Sequence, residues 1–216
     1  MATHNSVAIP PHDALRRLKD GNDRFAAGMS STDSLSNHSR RIALAQRQEP
    51  FAIILGCSDS RVPAEFVFDQ GLGDLFVIRV AGNIVAPSQV GSVEFAVERF
   101  GTSLVVVLGH SSCGAILATL EQLLQPTEQR SPHLRSIVDR VRPSVAPLLV
   151  TELRHDHNAL LGHAVRANVR LSVNQLRHGS GILEQYVQQR KLLVVGAEYS
   201  LETGKVEFFD GTEWGA

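Results

Sequence analysis

Cysteine is scarce: Cys57 and Cys113 are the two that 216 residues contain. So sparse a set excludes a disulfide-stapled scaffold, and in a reducing compartment it leaves buried, reactive or metal-bound thiols. Long apolar runs are missing as well. No window approaches the roughly 20 apolar residues that a membrane-spanning helix needs. The opening MATHNSVAIPPHDALRRLKD carries no apolar stretch of signal-peptide length, so the expected location is cytoplasmic. Neither sign of charge is in excess. A formal net charge of −1, with no basic or acidic block, argues against nucleic acid or an anionic membrane as a partner. Internal repeats and low-complexity tracts are also lacking.

What is present is an ordinary globular composition, 43% apolar and 20% charged, sufficient for one substantial core. The expected organisation is a single domain over 1–216, with a helical arm and connection in 1–40 and an α/β core in 41–216. In the arm, HDALRRLKDGNDRFAAGM (12–29) sets Leu15, Leu18 and Phe25 near helical spacing, with Gly28 as a stop. The polar SSTDSLSNHSRR (30–41) reads as a connection. Three short apolar runs follow: FAIILG (51–56), DLFVIRVAGN (74–83) and SLVVVLGH (103–110). Each suits a strand buried on both faces of a parallel sheet. Helical spacing in SQVGSVEFAVERFGT, between the second and third, makes a crossover unit. Further helices are expected over GAILATLEQLLQ (114–125), with Ile116, Leu117, Leu120, Leu123 and Leu124 as a core stripe, and over 158–177. In the latter, Leu161, Val165, Asn168, Val169, Ser172 and Leu176 share a stripe. KLLVVGAEYSLETGKVEFFD holds two strand-like runs about a Glu202-Thr203-Gly204-Lys205 turn, which predicts a C-terminal hairpin.

Reactive groups gather just past two of the strand ends. After FAIILG comes CSDSR, with Cys57, Asp59 and Arg61 at alternate positions, so an extended segment would turn all three to one side. After SLVVVLG come His110 and Cys113. Open α/β sheets place ligand crevices beyond the carboxyl ends of their parallel strands, where two such ends meet. Two thiolates and an imidazole suit zinc, leaving a fourth position for water. Taken singly, each cysteine reads as a buried thiol packing as a small hydrophobe; the joint pattern favours a metal. His155, His157 and His163 in RHDHNALLGHA read as solvated residues instead of a second metal site.

CSDSRVPAE (57–65) and GHSSCGA (109–115) resemble the two signatures of the β-class carbonic anhydrases, of bacterial or plant-like type. DLFVIRVAGN, GSVEFAVERFG and LKDGNDRFAAG are similar to other parts of that family, and the likeness runs roughly from residue 12 to 209. The resemblance implies an α/β fold with a mainly parallel sheet flanked by helices, assembled as a homodimer or tetramer. It implies one Zn²⁺ per subunit on Cys57, His110 and Cys113, and reversible hydration of carbon dioxide to bicarbonate and a proton by zinc-bound hydroxide. Asp59 and Arg61 become the catalytic dyad: Asp59 orients the nucleophile or, in a closed state expected at low pH, joins the metal as fourth ligand. Gln48 falls where the plant-like type has a substrate-binding glutamine, Phe76 would line an apolar wall, and Phe95 replaces a tyrosine commonly supplied across the dimer interface. Gly114 is the candidate for a backbone amide near a substrate oxygen. Ile54 stands where the other type has the tryptophan of a non-catalytic bicarbonate pocket, while Arg79 and Tyr199 match other parts of it. Relatives hydrolyse carbon disulfide or carbonyl sulfide on the same zinc site, and a non-catalytic zinc or bicarbonate sensor is a third reading. The N-terminal helix has two: reaching over a neighbouring subunit, as in the family, or packing on its own core.

Overall fold

Burial at every position of β1 (Ala52–Gly56) and β3 (Leu104–His110) places these runs in the interior of a sheet. A computed structural model describes residues 9–30, 38–126 and 131–212. Its sheet has the order β2-β1-β3-β4-β5, with β2 at Leu75–Arg79, β4 at Leu193–Tyr199 and β5 at Val206–Asp210. The first three pairings are parallel, and β4 with β5 is antiparallel, the expected hairpin. In register, Gly56 of β1 lies beside Leu108 of β3 and Arg79 of β2. The residues that follow these positions therefore converge at one end of the sheet.

Alternation along the strands divides the core. On one face Ala52, Ile54, Leu104 and Val106 pack with α1 (Pro11–Ala26) and with α3 (Ala64–Val67) and its neighbour Phe68. On the other, Ile53, Leu55, Val105 and Val107 meet α4 (Pro87–Phe100) and α7 (His157–His178). A third cluster covers the strand ends, where Cys57 and Cys113 lie among Ile116, Leu120, Val141, Val145 and Val165 of α5 (Gly114–Leu124), α6 (Pro132–Val145) and α7. Among the described residues, no helix is long and apolar enough to cross a membrane.

The arm packs on the chain's own sheet. Ala14, Leu15 and Leu18 are buried there. Asn22 donates from Nδ2 to the carbonyls of Val67 and Gly204 and accepts from the Val206 amide, at 3.0, 2.9 and 2.8 Å.

Several sequence expectations need correction. Residues 38–41, read as connection, open the helix α2 (His38–Leu44), and 31–37 lie outside the described residues. Leu124 is 50% exposed, so the buried stripe of α5 is Ile116, Thr119 and Leu120. On α7, Leu160 takes the buried position expected of Leu161. The helices α6 and α8 (Gly181–Gln188) are not legible as apolar runs. α6 buries only Val138, Val141 and Val145 and carries Pro143 within it, while α8 buries only Leu183.

Candidate metal centre

Cys57 leaves β1 directly after Gly56, and His110 is the last residue of the neighbouring β3. Beyond His110 the chain turns sharply through Ser112, which has φ of +55°, and Cys113 caps the start of α5. The two sulfurs stand 4.0 Å apart, and the ligand atoms of Cys57, His110 and Cys113 all fall within 4.8 Å of one another. Tetrahedral zinc with Zn–S bonds of about 2.3 Å would set two thiolates roughly 3.8 Å apart, close to this spacing.

The histidine is poised for a metal. Its Nδ1 lies 2.9 Å from the Ser111 carbonyl oxygen, which can only accept, so Nδ1 carries the hydrogen and Nε2 of the neutral ring keeps its lone pair. That Nε2 is buried without a protein partner in a side chain that is 0% exposed. Leaving such a group unsatisfied costs roughly 1–3 kcal/mol, and a metal ion beside the two sulfurs would satisfy it. The donor set therefore fits zinc.

The charges are arranged to the same end. A hydrogen bond from the Cys113 thiol pulls the Cys57 pKa down to about 4, against the opposing effect of burial and with help from His110 and the Gly82 and Asp59 amides. Cys113 is pushed far above the ordinary thiol range by Cys57 and by burial, although the Ala115 and Ile116 amides of α5 favour its thiolate. The pair thus shares one proton near neutrality. Burial works against a charged His110 ring, but the Cys57 thiolate, the Ser111 carbonyl and Asp59 together outweigh it and raise the pKa. Metal binding would expel these protons.

Asp59 sits at the rim. Its Oδ2 is 3.9 Å from His110 Nε2, and both its oxygens are taken by Arg61, Nε to Oδ1 at 2.9 Å and Nη2 to Oδ2 at 2.7 Å. The Arg61 backbone amide adds a bond to Oδ1 at 3.0 Å. These bonds hold the carboxyl well below the usual carboxylate range, despite partial burial. The expected geometry needs one correction: the segment does not stay extended. A turn closes between the Asp59 carbonyl and the Val62 amide, at 3.1 Å, so Arg61 is exposed and reaches back to Asp59.

The remaining candidates are spread more widely. Arg79 grips the loop backbone, donating to the carbonyls of Cys57 at 2.9 Å and Asp59 at 2.5 Å. Ile54 is fully buried on the arm's side of the sheet, as is Tyr199 at 5% exposure. Phe76 of β2 packs with Phe95 and Phe100, ring centroids 6.2 and 5.9 Å away, and Phe95 is 53% exposed. Gln48 is exposed on the irregular segment leading into β1. At Gly114 a Cβ would meet nothing within 4 Å, so the mouth of α5 is open. His155, His157 and His163 are exposed.

Sequence reading did not assign Gly82 a role at the sulfur, yet its amide donates to Cys57 Sγ at 3.4 Å. The available signal was polar residues on the apolar stripe of α7. Asn168 and Ser172 bond the carbonyls of Gly82 and Asn83.

Residues 52–206 match the family described as carbonic anhydrase. The chain is 42% identical over 197 residues to a carbonic anhydrase of Mycolicibacterium smegmatis, covering 91% of this chain and 92% of that protein. It is 40% identical over 201 residues to carbonic anhydrase 2 of Mycobacterium tuberculosis H37Rv, covering 93% of each. A solved β-carbonic anhydrase of Aspergillus fumigatus is similar with a TM-score of 0.71 at 25% identity, over 93% of this chain and 91% of that one. A mostly parallel five-stranded sheet that brings a Cys-His-Cys cluster to its strand ends accords with these likenesses, and the chain belongs to the β-class carbonic anhydrases, a family of enzymes.

Proposed function

We propose that the protein catalyses the reversible hydration of carbon dioxide to bicarbonate and a proton, using one Zn²⁺ per subunit held by Cys57, His110 and Cys113. The observation that carries this reading is the buried, unpartnered Nε2 of His110, set beside two sulfurs and 3.9 Å from an ionised carboxylate. Zinc held there supplies Lewis acidity, lowering the pKa of a coordinated water so that a nucleophile is available at moderate pH. Asp59 is an acceptor-only group while ionised. It would accept a hydrogen bond from the nucleophile and so orient it toward carbon dioxide. Arg61 keeps Asp59 ionised and, by occupying both oxygens, holds it back from the metal position. Release of Asp59 to become a fourth ligand would require those bonds to break, and low pH favours that closed state. X-ray absorption at low and high pH reads it as four protein ligands against three.

Carbon dioxide carries no net charge, so an apolar wall at Phe76 suits it. In this reading the Gly114 amide and Gln48 bond substrate or product oxygens, and the exposed Phe95 is supplied across an interface between copies, in a homodimer or tetramer. Two free, buried cysteines fit the reducing cytoplasm. Stopped-flow measurement of carbon dioxide hydration by the zinc-loaded protein tests the proposal. Activity is expected from neutral to alkaline pH, and Asp59→Ala should keep its zinc while losing about 10²-fold in rate. A zinc-loaded wild type without activity across that range would overturn it.

A further inference from the structure

The long helix α7 presents two polar side chains to the core where apolar ones would be expected. Asn168 and Ser172 are 1% and 2% exposed and flanked by the fully buried Val169 and Val173. Burying an amide and a hydroxyl costs free energy unless each is bonded, and both are bonded to one short turn. Asn168 Nδ2 donates to the Gly82 carbonyl at 2.7 Å, and Ser172 Oγ to the Asn83 carbonyl at 3.0 Å. The residues four apart on one helix face thus grip successive carbonyls.

The gripped turn is Ala81–Asn83, and it is unusual backbone. Gly82 has φ of +72° and Asn83 of +43°, consecutive left-handed residues that persist only when their surroundings hold them. A Cβ on Gly82 would stand 3.2 Å from Ala115 Cβ of α5 and 3.6 Å from Val141 of α6, so the peptide is wedged among the helices that cover the metal centre. This conformation turns the Gly82 amide toward Cys57 Sγ.

We infer that Asn168 and Ser172 are positioning residues of the metal centre: through the Gly82–Asn83 turn they aim a backbone N–H at the Cys57 sulfur and set how tightly it holds the metal. The inference rests on Cys57, His110 and Cys113 being the metal ligands. Groups that orient ligands in this way are worth about 10–100-fold in metal affinity. They act through the turn without touching metal or substrate.

The test is zinc affinity of the full chain, measured by competition with a chromophoric chelator, together with the cobalt(II)–thiolate charge-transfer band. Asn168→Leu and Ser172→Ala should each bind zinc about 10-fold more weakly or worse and shift the cobalt band. Val173→Ala, which loosens the same helix at a residue of the sheet-facing core, should lower the melting temperature of the metal-free protein yet bind zinc as the wild type does. Should Asn168→Leu fail to fold, Ser172→Ala decides, since it removes one hydroxyl. Wild-type affinity and an unchanged band in Ser172→Ala would overturn the inference, and so would an equal loss of affinity in Val173→Ala. A wild type that takes up no zinc would instead overturn the ligand assignment.

Discussion

Two polar groups are built into the hydrophobic interior at opposite ends of the argument between structure and function, Asn22 and His110. Asn22 is 3% exposed and closed: three bonds satisfy its amide, tying the arm to the last residue of α3 and to the hairpin. His110 is 0% exposed and open, with Nδ1 satisfied and Nε2 left over beside two sulfurs. Both lie in well-packed surroundings, so packing does not distinguish them. The remainder does. A buried polar group whose bonds all close within the chain serves the fold, whereas one that leaves a lone pair among potential ligands marks a place for something else.

Substitutions can break this contrast. The largest effect is expected from Cys57→Ser, which removes a ligand from the open cluster: zinc content by mass spectrometry should fall toward zero and carbon dioxide hydration to the uncatalysed rate. Retention of stoichiometric zinc would show that the cluster is not the metal site. Next comes Asn22→Ala in the closed cluster, expected to cost about 3 kcal/mol because the Val67 and Gly204 carbonyls and the Val206 amide lose their partner. Urea unfolding measures it, and zinc per chain should stay unchanged; zinc loss without loss of stability would invert the contrast.

A smaller change is expected of Arg79→Ala, which frees the carbonyls of Cys57 and Asp59 while leaving every ligand in place. Turnover should drop about 10-fold through misplacement of Asp59, with zinc retained; full activity would show the grip to be incidental. The smallest effect is expected at the solvent-facing ion pair between Arg166 and Glu207, which belongs to neither cluster. Arg166 lowers the Glu207 pKa, so the pair contributes stability above the ordinary glutamate range and loses it as pH falls through the folded value. Because Glu207 is largely exposed, Glu207→Gln should cost at most about 0.5 kcal/mol at neutral pH and nothing once the wild-type carboxyl is protonated. Unfolding curves compared at neutral pH and at low pH would show the difference shrink; a difference that grows on acidification would contradict that sign.

Much of the frame was legible along the chain. Continuous apolar runs announced β1 and β3 because a strand buried on both faces has no polar side to interrupt it, whereas the third such run, β2, forms the sheet edge and buries only Leu75 and Ile78. CSDSR and GHSSC were legible because their reactive residues sit at strand ends, where a parallel sheet brings sequence-distant segments together. Arg61 was misplaced because alternation holds only while the backbone stays extended, and a turn closes at Val62. The helices α6 and α8 escaped because each buries so few residues that no apolar period stands out. The bonds of Asn22, and of Asn168 whose place on the α7 stripe was legible, escaped for a different reason. Their partners are backbone carbonyls 45, 182 and 86 positions away, and any residue has a carbonyl, so side-chain pattern carries no record of the pairing.

The candidate donor set, two thiols and an imidazole with a carboxylate and a guanidinium close behind, could be read from residue type, because ligand chemistry belongs to the side chains themselves. Which of those groups is open and which is occupied belongs to the folded chain. Register puts Gly56 beside Leu108, the Ser111 carbonyl fixes the hydrogen on His110, and Arg61 turns back to take both Asp59 oxygens. Each is a matter of where a neighbouring backbone or charge lies in space, and that distance is set by packing of elements remote in the chain.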